Sequence, residues 1–221
     1  MLKKTLKLVA CLMLIALATG CANHQVTPTD YTAFKQSRPA SILILPPLNE
    51  SPDVAATYSM LSQMTYPLSE AGYYVLPVTL VDETFKQNGL STPADIHAVA
   101  PAKLKEIFGA DAALYVTVTQ YGASYTVLNS VVIVTAKAKL VDLKTGTTLW
   151  QGAATASNNE GGNNGGGGLI GALVAAAVKQ VINNVSDAGH PVAGAASMRL
   201  LSAGRANGIL YGPRSERYQT D

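Results

Sequence analysis

The stretch Ser41-Ile-Leu-Ile-Leu-Pro46 limits the fold of this 221-residue chain more than any other. Every position from Ile42 to Leu45 is apolar, so neither side of the run can be left in water. The run is short and stops abruptly at two prolines, which marks a strand buried on both faces rather than a helix. A helix is predicted next, with Ser51 as N-cap, Pro52 at its first position and Asp53 in its first turn. Val54, Tyr58, Leu61, Met64 and Leu68 then recur at three- and four-residue steps and form one apolar stripe. Pro67 has no N–H to give and predicts a kink or break, while Gly72 suits the C-terminal cap. Tyr73-Tyr-Val-Leu76 reads as a second strand, so Ile42 to Leu76 makes a βαβ unit.

Short helices follow. One runs from about Thr79 to Asn88, and another from Pro101 to Gly109 with Leu104, Ile107 and Phe108 on its inner face. Asp111 to Tyr121 is a strand, and Val131 to Leu143 is a longer one that alternates. Val132, Val134, Ala136, Ala138 and Leu140 face one way, with Lys137 and Lys139 on the other side. Asp142-Leu-Lys-Thr-Gly146 is a tight turn, and Thr147 to Ala156 returns as the partner strand carrying Trp150. The fold class is therefore α/β: a single mixed-sheet domain with a βαβ unit and an antiparallel hairpin, helices packed on the sheet. Its expected bounds are residues 41–203, with a Gly-rich loop at 157–168 and a C-terminal tail of little periodicity at 204–221.

The first residues have the parts of an export signal. Lys3, Lys4 and Lys7 precede an apolar run from Leu8 to Ala18, and the small residues Ala18, Thr19 and Gly20 lead into Cys21. The apolar run covers about half of a ~30 Å hydrocarbon core, too little for a transmembrane helix. A small-residue site ending on cysteine is a lipobox pattern, although Ala18 stands where Leu is usual. Residues 1–20 are accordingly expected to be a lipoprotein signal peptide, with lipid on Cys21. An ordinary secretory cut leaving a free thiol is the alternative. Cys11 would leave with the peptide, so Cys21 has no intramolecular disulfide partner. Ala22, rather than Asp, after the lipidated residue points to the outer membrane. Residues 21–40, polar and carrying Pro28 and Pro39, read as a lipidated tether.

Charge excludes one class of partner. The chain has 16 basic and 14 acidic residues, and losing the three signal lysines leaves 13 against 14. No basic stripe remains, so no nucleic acid is expected.

Features that could carry chemistry are few. Six of the eight residues from Gly161 to Gly168 are glycine, but no Gly-Lys-Ser/Thr ending follows and no buried parallel strand leads in. Leu169 to Ile182 is apolar and alanine-rich, and at ~21 Å it is short for a bilayer. Its small residues allow close helix packing in the core or against a partner. Of the three histidines, His24 lies in the tether, and His190 follows Ser186 and Asp187 too closely for a well-formed triad. No His, Cys and carboxylate cluster has metal spacing, and no cofactor or catalytic residue is expected. Asp82 and Glu83 read as first-turn helix charges. Ten tyrosines stand against three Phe and one Trp, and Tyr58, Tyr66, Tyr73 and Tyr74 gather around the first helix and second strand. Tyrosine suits rims of cores and binding surfaces.

The blocks SILILPPLNESPDV, MTYPLSEAGYYVLPVTLVDETFKQNGL, FGADAALYVTVTQYG and VDLKTGTTLW resemble an uncharacterised family of bacterial outer-membrane lipoproteins over most of residues 41–200. The order of elements is similar to the amino-terminal α/β domain of TolB. It is also similar to the periplasmic domains of the curli secretion lipoprotein CsgG and of a penicillin-binding-protein activator lipoprotein. The Asp142–Trp150 hairpin pattern repeats in quinoprotein propellers but occurs once here, which argues against a propeller. The resemblance implies a non-catalytic envelope accessory or adaptor, membrane-bound through its N-terminal lipid, that works through contacts with another envelope protein. The alternative is an oligomeric subunit of an outer-membrane secretion or transport assembly. Either way the resemblance brings no catalytic residues.

Overall fold

The computed structural model describes residues 28–125, 130–160 and 188–221. The signal segment, Cys21, Gly161 to Gly168, residues 169–182, Ser186 and Asp187 lie outside the described residues. The buried strand is β1 (Ser41–Ile44), and Ile42, Leu43, Ile44 and Leu45 have no exposed surface. A short β2 (Leu48–Asn49) leads into helix α2 (Ala56–Glu70), which returns the chain to β3 (Tyr74–Val75). β3 pairs in parallel with β1, completing the expected βαβ unit.

Three helices then cover one face: α3 (Val78–Gln87), α4 (Pro93–His97) and α5 (Pro101–Phe108). β4 (Ala112–Tyr125) lies parallel to β1 on its other side, and β2 also pairs with β4. β5 (Ser130–Asp142) and β6 (Thr148–Ser157) extend the sheet by antiparallel pairing. Strand order is β3-β1-β4-β5-β6. Helix α1 (Thr32–Ser37) precedes the sheet and α6 (Gly189–Leu201) packs on it beside α2. The fold is thus one mixed α/β domain, as the sequence pattern predicts.

Because β1 is apolar on both sides, it divides the core in two. Ile42 and Ile44 join Leu114, Val134, Leu140, Met60 and Leu200 beneath α2 and α6. Leu43 and Leu45 join Val81, Phe85, Ile96 and Leu104 beneath α3, α4 and α5. The alternation in β5 holds, with Val134, Ala136 and Leu140 buried and Lys137 and Lys139 exposed. Asp142 closes the hairpin turn by accepting from Lys144 N, Thr145 N and Thr145 Oγ1. It also accepts from Ser37 Oγ, which ties α1 to the hairpin.

Several local expectations give way. Helix α2 starts at Ala56, not at Ser51, and has no side-chain cap. Asn49 is the reason: its Oδ1 accepts from Ser51 N and Ser51 Oγ, and its Nδ2 donates to Asp53 O. Asp53 Oδ1 then accepts from Ala55 N, so the turn is spent before the helix begins. Val54 is left outside the helix and 91% exposed, not on the apolar stripe. Pro67 does not break α2, because it is buried in the last turn and Ala71 N closes that turn onto Pro67 O. Ile107 is exposed rather than inward, while Phe108 meets Phe85 with ring centroids 5.0 Å apart.

The tail carries no helix or strand, as its lack of period predicts, yet it belongs to the core. Ile209 and Leu210 are buried, and Tyr73 Oη donates to Leu210 O at 2.6 Å. Trp150 Nε1 donates to Asn207 O at 3.0 Å. Beyond them, Gly212 N donates to Ala71 O and Arg214 N to Gly72 O. This approach needs bare backbone: a Cβ on Gly212 would lie 2.5 Å from Gly72 O. Gly212→Ala should therefore cost about 1–3 kcal/mol, the usual range for overpacking. A lowered urea midpoint with an unchanged slope would show it, and an unaltered midpoint would refute this docking of the tail.

Candidate interaction surface

Helix α2 presents two different sides. Ser59, Met60, Gln63 and Met64 face α6 and the sheet, whereas Tyr58 and Tyr66 open to solvent. Tyr58 is 50% exposed and Tyr66 62% exposed. Tyr74, on the edge strand β3, is 46% exposed, while its neighbour Tyr73 points into the core. Of the four tyrosines expected near the core rim, three are thus open to solvent, two on α2 and one on the edge strand. Two of the rings lie under cations. Lys86 Nζ is 5.3 Å from the centroid of Tyr58, and the Arg214 guanidinium is 5.1 Å from that of Tyr74. Such contacts orient large amphipathic rings at little entropic cost and leave contact area free. Leu80, on α3, adds an exposed apolar side chain.

The sequence candidates for catalysis are placed differently. His190 Nδ1 lies 2.9 Å from Ser59 Oγ and its Nε2 lies 2.7 Å from Gln63 Nε2. Tyr121 Oη donates to Ser59 Oγ at 2.7 Å. With the Gln63 amide donating to Nε2, the imidazole proton sits on Nδ1 and is directed at Ser59. Ser59 then accepts twice, the reverse of the polarity that activates a nucleophile. The group ties α2, α6 and β4 together. A register shift between Val118 and Gln120 brings Tyr121 to this face, and Gly189 makes room, since a Cβ there would lie 2.5 Å from the ring. Sequence reading missed this network, because a bulge and a close backbone approach leave no periodic trace.

Asp82 and Glu83 sit in the second turn of α3, not the first. Asp82 pairs with Lys86 Nζ at 2.6 Å and Glu83 accepts from Gln87 at 3.0 Å. Both are surface helix pairs. Among the described residues, no three of His, Cys, Asp and Glu gather into a set that could hold a metal. Among them, too, no helix is long and apolar enough to cross a membrane.

The model of a family described as putative lipoprotein GNA1162-like matches residues 29–214. The chain belongs to that family. It is 54% identical over 196 residues to putative lipoprotein NMB1124/NMB1162 of Neisseria meningitidis serogroup B (strain ATCC BAA-335 / MC58), across 89% of this chain and 90% of that protein. The crystal structure of lipoprotein GNA1162 from Neisseria meningitidis aligns with a TM-score of 0.54 and 59% identity, covering 66% of this chain and 100% of that one. A weaker likeness, with a TM-score of 0.39 and 18% identity, extends to the C-terminal domain of LpoB from Salmonella enterica, over 52% of this chain and 81% of that one. The family read from the motifs is thus the family of the chain.

One titratable group sits between the helices α3–α5 and the strands, close to Tyr115 and Lys139. His97 Nε2 lies 2.9 Å from Pro46 O, and its ring meets Tyr115 edge-on at 5.2 Å. Burial holds its imidazole below the ordinary 6.5; the Pro46 carbonyl opposes this and Lys139 reinforces it. The folded protein therefore binds fewer protons here than the unfolded chain does. Stability from this site is complete above 6.5 and declines as pH falls from there towards the lower folded value. Urea midpoints between about pH 7.5 and about pH 5 should fall more steeply for the wild type than for His97→Gln. Parallel curves would exclude His97 as the source.

Proposed function

We propose that this family member is a lipid-anchored, non-catalytic adaptor of the bacterial envelope. Cys21 carries the lipid, Ala22 directs the protein to the outer membrane, and the residues between Ala22 and helix α1 serve as the tether, since Phe34 and Ala40, expected in the tether, are held by the domain. The α/β domain then meets another envelope protein through the exposed tyrosines Tyr58, Tyr66 and Tyr74. The observation that carries this reading is the exposure of those three rings on α2 and β3, two of them oriented by cations. Membership of a lipoprotein family supports the anchor. The Ser59–His190 polarity supports a role without chemistry at that histidine.

Two measurements test the reading separately. Cys21→Ser should abolish incorporation of labelled palmitate and release the protein from outer-membrane fractions; a variant that still takes up label would remove Cys21 as the anchor. A photoreactive amino acid placed at Tyr58, Tyr66 or Tyr74 in living cells should yield a discrete protein adduct, whereas one at exposed Lys137 should not. Absence of any adduct from all three positions would sink the adaptor role for these tyrosines.

A further inference from the structure

The segment that docks at Gly72 also shapes a cleft of about 220 Å³ against α1, separate from the exposed tyrosines. Phe34, Tyr73 and Leu210, all buried, make its apolar floor. The Tyr73 hydroxyl is committed to Leu210 O, and burial pushes its phenol far up, so the floor is uncharged at any physiological pH. Lys35 and Arg38 stand on the rim, across from Tyr218 and Asp221.

The two rim cations differ in what they have left to give. Lys35 Nζ donates to the main-chain oxygen of Asp221 at 2.9 Å, and the Asp221 carboxylate accepts from Tyr211 N at 2.9 Å. Arg38 donates through Nε to Lys35 O at 3.1 Å, which fixes the plane of its guanidinium. Its terminal Nη groups have no acceptor among the described residues. The backbone holds the same residue firmly. Arg38 closes α1 with φ 47, its N–H bonded to Phe34 O, and Pro39 after it disfavours continuing the helix. An oriented guanidinium with its fork free is a receptor for a planar anion.

We propose that this cleft binds a small monocarboxylate bearing an apolar ring or short chain. Arg38 takes the carboxylate and the Phe34–Tyr73–Leu210 floor takes the apolar part. A monoanion fits because one guanidinium is unspent while Lys35 is engaged and Asp221 adds a negative charge nearby. The volume lies below the ~300–1,000 Å³ of pockets for drug-sized ligands, which limits the guest to about one ring.

The test uses the full acylated chain in detergent, with benzoate as probe and benzamide as its neutral counterpart. Ligand-observed saturation-transfer NMR is read against protein-free micelles. Benzoate should give a saturable signal with a millimolar Kd, as so few atoms allow, and benzamide should give none. Arg38→Gln should weaken benzoate about tenfold or more, the loss expected for a charge-assisted pair. Tyr218→Trp, which adds bulk to the cleft lining without altering charge, should abolish the signal, so the proposal does not depend on one variant folding. Equal signals from benzoate and benzamide, no benzoate signal, or a signal unchanged in Arg38→Gln would each overturn it.

Discussion

A strand with no exposed surface on either face needs cover on both, and β1 imposes that condition on everything around it. Ile42 and Ile44 require the α2 and α6 layer; Leu43 and Leu45 require the layer of α3, α4 and α5. Its hydrogen-bonding edges are filled by parallel neighbours, β3 on one side and β4 on the other. The entry to β1 is fixed as well. Asp111 Oδ2 accepts from Ala40 N, Ser41 N and Ser41 Oγ, and Lys105 donates to Oδ1 at 3.1 Å. Burial alone would raise that carboxyl, but the donors from Ser41, Lys105 and Ala40 outweigh it and hold it below 3.8. The residues expected to form the end of the tether are therefore bonded into the central strand itself.

The two faces of the sheet are covered unequally. Helices α2 and α6 and the tail lie over the first face, including much of β5 and β6. On the second face, the helices stop at Leu43, Ala113, Tyr115 and Val141. Beyond them the hairpin presents Lys137, Lys139, Gln151 and Thr155, the polar half of its own alternation. A solvated face is ordinary for antiparallel strands. Of the exposed aromatic rings, Tyr58 and Tyr66 stand on α2, over the first face, and Tyr74 stands on β3, at the opposite edge of the sheet from β6. Recognition by aromatic contact and the polar face of the hairpin therefore occupy different parts of the surface.

What could be read in advance follows from how local each signal is. The β1 run, the alternation in β5 and the Asp142 turn depend on neighbours in sequence, and all three hold. The start of α2 failed because Asn49, two residues before Ser51, competes for the groups a cap would use. Pro67 failed as a breaker because burial in the final helical turn retains it. The tail was opaque for a different reason: Leu210 and Gly212 are placed by Tyr73 and Gly72, more than a hundred residues earlier. Arg38 carried no site motif at all. Its neighbour Pro39 reads only as part of a tether, and the cleft exists because residues 210–221 return to it.

Tyr73 and Tyr74 connect the two surfaces. At the entry to β3, Tyr73, just before the strand, goes to the floor of the cleft, and Tyr74, its first residue, to the exposed edge. The same tail segment serves both, since Tyr211 and Tyr218 line the cleft while Arg214 covers the Tyr74 ring. A guest in the cleft and a partner on the edge would therefore act on one short stretch of backbone, held by the Gly72–Gly212 approach. Coupling between them depends on whether that stretch has two positions to which the guest binds unequally; without such a difference a guest shifts nothing, however tightly it binds. Linkage also fixes the reciprocal effect: any guest that strengthens partner binding must itself be held more tightly once the partner is bound.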